Sequence, residues 1–284
     1  MSRTPSPTVR GRRLRYELRR LREQAGLTRD ETARRLDWSG SKISRIETGQ
    51  SRAQTGDVRD LLDVYGVTSD HAEALVQLAR EARKRGWWTA YNDVFTGTYV
   101  GLEAEASAMR TYEPQIIPGL LETEDYTRAL IRAALVRADP DEIERRVQAR
   151  MARQETLARP DAPEIWAVLD EPAILRPVGG QAVMKAQLRH LIDVTAAPNS
   201  TITLQILPLA IGSHPGLSGP FVILDFPTSE DPPVVYLETA TDGLYLEETA
   251  ETERYNLMFD HLRASALSAR ESASLIARLA EEMS

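Results

Sequence analysis

An all-α N-terminal domain followed by a larger α+β C-terminal domain is the fold class that these 284 residues predict, and three observations predict it. Up to about residue 68 the apolar side chains recur at helical spacing between cap signals. From about residue 160, short runs rich in β-branched and apolar residues are mixed with long amphipathic stretches, without a strand-helix-strand repeat, which favours α+β. The charge is divided as well. Residues 1–55 hold 14 Arg and Lys against 6 Asp and Glu, a net of +8, and the remainder hold 21 against 36, a net of −15.

Taken in order, residues 1–11 read as a disordered basic arm, with Pro5 and Pro7 breaking any element. Arg10, Arg12, Arg13 and Arg15 suit either phosphate contacts or a solvated tail. A helix over about 12–24 carries Leu14, Leu18 and Leu21 on one stripe and ends at Gly26. Thr28 followed by Glu31 is a capping box opening a second helix, whose inward face is Leu27, Ala33 and Leu36. Asp37 and Trp38 break the period, Trp38 reading as a packing residue, and Ser39 is the N-cap of a third helix. That helix buries Ile43 and Ile46 and stops at Gly49. A fourth starts at Thr55 or Gly56 and runs through Val58, Leu61, Leu62 and Tyr65. The helical head is therefore placed at 12–68 and a linking helix at 69–85, with Ala72, Leu75, Val76 and Ala79 on its apolar face and a basic end at Arg80, Arg83, Lys84 and Arg85.

The body is placed at 86–284. Residues 102–112 read as a helix and 112–121 as a bent, extended apolar segment. Helices are expected over 123–137, 140–158, 181–196, 247–264 and 268–282, and strands over 165–170, 201–207, 220–226 and 234–238.

The outer face of the third helix carries Gly40, Ser41, Lys42, Ser44 and Arg45, small or cationic and free of carboxylates, a surface that approaches a polyanion closely. Residues 14–67 resemble the helix-turn-helix of the XRE family of bacterial and phage repressors, which implies a lambda-repressor-like fold of five short helices and double-stranded DNA as partner. The resemblance implies that the third helix, capped by Ser39, lies in the major groove, with Gly40, Ser41 and Arg45 at base edges. Arg45 would bond bidentately to guanine, worth about 1–3 kcal/mol of discrimination. It implies phosphate contacts for Arg29 and Lys42, further backbone contacts for Thr48 and Gln50, and a fold-maintaining ion pair between Arg22 and Glu47. Two positions depart from the family pattern. Arg29 stands where glutamine is frequent, and Gly40 has no side chain with which to read a base, leaving specificity to Ser41, Ser44 and Arg45.

In the body, Gly86-Trp87-Trp88, Glu113-Pro114, Ile117-Pro118-Gly119-Leu120-Leu121, Arg153-Gln154, Leu169-Asp170-Glu171, Gly179-Gly180, Ile206-Leu207-Pro208, His214-Pro215-Gly216 and Val235-Tyr236-Leu237-Glu238 form an ordered set. Together they resemble the uncharacterised DUF5753 domain found behind XRE heads in actinomycete regulators. That resemblance implies a regulator, antitoxin-like in some members, often encoded beside a small partner protein.

Several chemistries are disfavoured. Asp170 and Glu171 are adjacent on a strand and so face opposite sides, which suits a strand-end cap or ion pair better than paired acid-base work. His71, His190, His214 and His261 show no ligand spacing, so no metal is expected. Phosphate-loop, dinucleotide and nucleophile-elbow patterns are missing, so neither a cofactor nor catalysis is expected. The absence of cysteine excludes disulfides and thiolate sites. No apolar run is long enough to span a bilayer and no signal peptide is expected, so the cytoplasm is the expected compartment, with association to the nucleoid when bound to DNA.

Trp87, Trp88, Tyr91, Tyr99 and Tyr112 suit either a pocket or groove for a ligand or partner or the core joining head and body, and the loop 210–218 with His214 suits a lid or a plain turn. The expected function is a homodimeric, sequence-specific transcriptional regulator whose body dimerises and senses a small protein or small molecule. The alternative is an antitoxin-like interaction module that neutralises a small partner, with DNA binding serving autoregulation.

Overall fold

The computed structural model describes residues 9–68, 70–82, 87–91, 93–95, 99–135, 137–228, 231–239 and 243–283. The chain divides into two units, one formed by residues 1–90 and 97–105 and the other by 91–96 and 106–284. The expected basic arm lies outside the described residues as far as residue 8, and so do Arg83, Lys84, Arg85 and Gly86.

The head contains α1 (Val9–Gln24), α2 (Arg29–Leu36), α3 (Gly40–Thr48), α4 (Thr55–Tyr65) and α5 (Asp70–Glu81). Their apolar stripes meet in one core of Leu14, Leu18, Leu21, Leu27, Ala33, Ile43, Ile46, Val58, Leu61, Leu62, Tyr65, Leu75, Val76 and Ala79. Leu75, Val76 and Ala79 belong to α5, which the sequence places in a linker. Its apolar face is buried with the other four helices, so the head's core extends past residue 68.

The arm differs from its expectation too. Val9, Arg10 and Gly11 are already the first turn of α1, and Val9 and Arg12 are buried. Arg10 pairs with Glu81 at 3.4 Å and with Glu105 at 3.6 Å. These residues are held by the head's own carboxylates. A short helix, α6 (Tyr99–Glu103), with buried Val100 and Leu102, belongs to this unit.

The body is built on a six-stranded mixed sheet of β1 (Ala108–Glu113), β2 (Glu164–Asp170), β3 (Ile202–Leu207), β4 (Phe221–Asp225), β5 (Val234–Glu238) and β6 (Gly243–Leu246). The order across the sheet is β3-β2-β1-β4-β5-β6. β1 pairs parallel with β2, with Tyr112 opposite Val168, and β2 pairs parallel with β3, with Asp170 opposite Leu207. The remaining pairings are antiparallel.

Parallel neighbours need crossovers. β1 reaches β2 through α7 (Glu124–Ala134) and α8 (Pro140–Gln154), and β2 reaches β3 through α9 (Glu171–Leu175) and α10 (Gln181–Ala196). The fold is α+β as expected, yet it contains two strand-helix-strand crossovers where the sequence showed none. The β2–β3 crossover joins two expected strands through the helix expected over 181–196, and only their parallel pairing was unforeseen; the β1–β2 crossover was hidden because β1 replaces the later part of the helix expected over 102–112. The Ala- and Glu-rich residues before Met109 favour a helix locally, but the segment becomes a strand because β2 and β4 pair with it on both sides. β6 is a second unexpected strand; its pairing with β5 sets it.

On one face of the sheet, Tyr112, Val168, Leu207, Phe221, Ile223 and Val235 pack with Phe259 and Leu262 of α11 (Thr249–Ser265). α12 (Ala269–Glu282) packs on α10 and β3. Its attachment is polar at one point, where the Ser272 hydroxyl accepts the Ile206 N–H at 2.9 Å inside the core.

Candidate nucleic-acid interface

The turn between α2 and α3 is built by local chemistry. Thr28 and Glu31 form a complete capping box: the Thr28 hydroxyl accepts from the Glu31 N–H at 3.1 Å, and the Glu31 carboxylate accepts from the Thr28 N–H at 2.8 Å. These bonds from Thr28 hold the Glu31 carboxyl below its ordinary pKa. At the other end of α2, Asp37 adopts a left-handed conformation with φ 54°, and the Trp38 N–H returns to the Ala33 carbonyl at 2.8 Å. Ser39 occupies the N-cap position of α3 but makes no cap bond; its Oγ lies 3.0 Å from the Ser41 Oγ.

Ile43 and Ile46 bury the inner face of α3. The helix ends at Gly49, with φ +76°, where a Cβ would also meet the Arg15 guanidinium at 1.4 Å. Arg15 donates to the Thr48 carbonyl at 3.4 Å, a cation at the negative end of α3. Arg15 is therefore engaged with the helix terminus, a role that sequence spacing did not reveal because the two residues are 33 apart.

Glu47 decides how α3 is held. Its carboxylate is nearly inaccessible, at 2% exposure, and accepts from Arg22 Nε at 2.6 Å and Nη2 at 3.2 Å. Arg22 also donates to the Leu27 carbonyl at 2.8 Å, tying α1, the start of α2 and α3 together. The expected Arg22–Glu47 pair is present, and Arg29 joins it, its Nε 2.8 Å from the second Glu47 oxygen. Burial, aided by Glu47, pushes the Tyr65 hydroxyl up to about 12.

The candidate contact residues share the α2–α3 surface but differ in freedom. Lys42 Nζ is 2.6 Å from Asp57 and 3.4 Å from the centroid of the Trp38 ring, so it ties α3 to the first turn of α4. Arg29 is tied to Glu47. Arg45 is exposed, and its guanidinium makes no hydrogen bond or ion pair among the described residues. Thr48 donates back to the Ser44 carbonyl at 2.8 Å, and Gln50 is exposed just past the helix. At Gly40 a Cβ would stand 2.8 Å from a carboxylate oxygen of Asp30, the mobile end of an exposed side chain.

A family model described as a helix-turn-helix domain matches residues 13–75. Another, described as a domain of unknown function, DUF5753, matches residues 96–278. The chain belongs to the DUF5753 family. No curated protein and no solved structure matches it. The head of this DUF5753 protein is a helix-turn-helix DNA-binding domain, which makes the protein a DNA-binding regulator and not an enzyme.

The residues expected to receive a ligand or partner in the DUF5753 protein are divided between the two units. Trp87 and Trp88, in edge-on contact, fall in the first unit, and Tyr91 and Tyr112 in the second. Tyr91 is covered by the Arg145 guanidinium 4.5 Å from its ring centroid and packs edge-on to Phe95. Tyr112 is fully buried and so cannot line an open pocket.

Its hydroxyl donates to Asp170 Oδ2 at 2.9 Å, and burial followed by that carboxylate pushes the phenol well above its ordinary range. Asp170 also accepts the Glu171 N–H at 3.0 Å, the strand-end cap that the sequence suggested. His214 is not isolated as expected: its Nε2 lies 3.6 Å from Asp170 and its ring stands edge-on to Tyr112. Tertiary folding brings these residues together from the ends of β1, β2 and the loop after β3. Gly216 completes the contact, since a Cβ there would meet the Tyr112 ring at 2.5 Å.

Two general features hold among the described residues. No group of three or more His, Cys, Asp or Glu is placed to hold a metal ion. No helix is long and apolar enough to cross a membrane.

Proposed function

We propose that this DUF5753 protein is a sequence-specific transcriptional regulator that binds double-stranded DNA in the cytoplasm as a homodimer and carries a signal-receiving body. α3 enters the major groove, Arg45 and the hydroxyls of Ser41 and Ser44 reading base edges, while Ser39, Gly40, Thr48 and Gln50 bring the backbone close. The observation that carries this reading is the contrast among the cations of the surface. Arg45 alone of the three proposed cationic contacts is uncommitted, and a free guanidinium fork is what bidentate guanine recognition requires.

Arg29 and Lys42 keep donors in reserve, since Arg29 uses only Nε toward Glu47 and an ammonium has three N–H groups. Both serve as phosphate contacts whose positions are set by intramolecular partners. Their role is to orient α3 and to add sequence-independent affinity. A single head covers little duplex, and two-fold pairing doubles the contact across half-sites about one helical turn apart. The acidic remainder of the chain, at −15, supports a body kept off the duplex and free to receive a small protein or small molecule.

The test is binding-site selection with the full chain at fixed salt, repeated with the small protein encoded beside it. A discrete two-fold symmetric site is expected, with occupancy that changes when the signal is present. Uniform binding to all sequences overturns the reading.

A further inference from the structure

One carboxylate shares the surface that carries Arg45. Asp30 lies in the first turn of α2, and its side chain is exposed. An ideal Cβ on Gly40, the first residue of α3, would lie 2.8 Å from Asp30 Oδ1. The carboxylate therefore stands where a side chain at position 40 would begin, at the leading end of α3. Sequence spacing did not show it, because Asp30 belongs to the preceding helix. Aspartate has only two side-chain torsions, so its carboxylate stays near this place through the backbones of α2 and α3 and not through a long flexible chain.

The neighbouring carboxylates are engaged, and this one is not. Glu31 is bonded to Thr28, Glu47 to Arg22 and Arg29, and Asp57 to Lys42, while Asp37 lies at the opposite end of α2. The Asp30 carboxylate makes no hydrogen bond or ion pair among the described residues. Arg34, one turn further on, donates to the Asp30 backbone carbonyl at 3.4 Å and not to the carboxylate. With no side chain on Gly40, the first position of α3 offers a base edge only what Asp30 brings to it.

We propose that Asp30 is a specificity-determining residue, its carboxylate accepting from the N4 amino group of a cytosine in the same half-site as the guanine met by Arg45. The proposal rests on α3 entering the major groove, and it adds a second base to what that helix surface reads. An ionised carboxylate only accepts hydrogen bonds. In the major groove cytosine presents the N4 donor alone, adenine sets its N6 donor beside the N7 acceptor, and guanine and thymine present acceptors. A lone acceptor therefore ranks cytosine first and is repelled by phosphate. The charge of Asp30 is tolerated near DNA because Arg29, Lys42 and Arg45 share its surface and residues 1–55 carry a net of +8.

The experiment runs binding-site selection with full-length wild type, Asp30→Ala and Asp30→Asn at one salt concentration. Each protein is then titrated against the wild-type operator and against copies in which each cytosine is replaced in turn by the other bases. Thermal unfolding is measured alongside, to compare variants that are equally folded. The wild type is expected to prefer cytosine at one position of each half-site by about tenfold, and Asp30→Ala to reduce that preference below about twofold. Selection of guanine by Arg45 should persist in both variants. Asp30→Asn should move the preference at the same position to adenine, because an amide accepts from N6 and donates to N7. An unchanged set of base preferences in Asp30→Ala, with affinity altered equally for every sequence, overturns the proposal and leaves Asp30 as a charge at the N-terminus of α2. A discrete wild-type site without a cytosine that depends on Asp30 overturns it too, while the regulator reading stands. A wild type that selects no discrete site overturns the reading of α3 as the groove-entering helix and this proposal with it.

Discussion

Two carboxylates, Glu47 in the head and Glu113 in the body, are surrounded differently, although the body also fastens a buried carboxylate, Glu122, to Arg150 at 2.9 Å. In the head, Glu47 lies between the Arg22 and Arg29 guanidiniums, and the ion pairs hold α3 against α1 and α2. In the body, the half-buried Glu113 at the end of β1 has Glu238 as its strongest charged neighbour, with Glu122 and Arg153 acting more weakly, and the Thr111 hydroxyl, at 3.3 Å, donates to it. Burial first, then Glu238, pushes Glu113 up to about 8. The contrast shows that burial alone does not decide what a carboxylate does. One with arginines on both oxygens acts as a rigid fastener, and one beside another carboxylate takes up a proton instead.

The largest test of that contrast is Glu47→Gln. It leaves Arg22, at 8% side-chain exposure, with only the exposed Glu23 carboxylate at 3.4 Å, and removing the main partner of such a buried pair costs on the order of 3–5 kcal/mol. Amide hydrogen exchange in α3 should lose most of its protection while β1 and β2 keep theirs. Unchanged exchange in α3 would mean that Glu47 is not the fastener.

Next is Gly49→Ala, which forces a side chain into φ +76° and against Arg15, at a cost of about 1–3 kcal/mol. The same change in an Arg15→Ala background should cost less, because only the backbone strain remains. Additive losses in the double variant would show that the Arg15 contact contributes nothing to the position's need for glycine.

Arg45→Ala should leave the melting temperature alone, weaken the preferred operator by about 1–3 kcal/mol and relax selectivity at one base pair. Lys42→Ala is expected to act evenly on all sequences and to lower the salt dependence of binding by about one counterion, with a small loss of stability through Asp57. Equal effects of the two on selectivity would erase the distinction between a free and a committed cation.

The last test, read in the pH profile and not at a single pH, is Glu113→Gln. Because the folded pKa is raised, the stability associated with protonated Glu113 is complete below the ordinary carboxylate value of about 4.3 and is lost as pH climbs through about 8. The glutamine variant should therefore be the more stable protein near pH 8, with a flatter profile between pH 5 and 8. Identical denaturation profiles would show that Glu113 ionises in the fold as it does in water.

Much of the head was legible because its signals are local. Thr28 and Glu31 are three residues apart, Gly49 follows its helix directly, and the core residues recur at helical spacing within each segment. Less local features were missed or misassigned. The part of α5 in the core, Arg15 over Gly49, and the capture of Arg29 by Glu47 all depend on which helices approach one another. In the body, β1 was hidden because its residues suit a helix until β2 and β4 flank them, and with β1 hidden its parallel crossover to β2 was invisible; the elements of the β2–β3 crossover were each expected, but not their parallel pairing. The contact between His214, Tyr112 and Asp170 joins residues up to 102 positions apart, a separation over which spacing carries no signal.

By itself, then, the sequence determined the helical head with its caps and turn, the acidic body of mixed helices and strands, and the face of α3 that carries Gly40, Ser41, Ser44 and Arg45. Periodicity, capping and charge act over a few residues and survive without knowledge of neighbours. The tertiary structure decided which of those side chains remain free and that residues 108–113 pair as a central strand. Those outcomes depend on what packs or pairs across the fold, where an ion pair or a strand partner outweighs a local preference of a few tenths of a kcal/mol per residue.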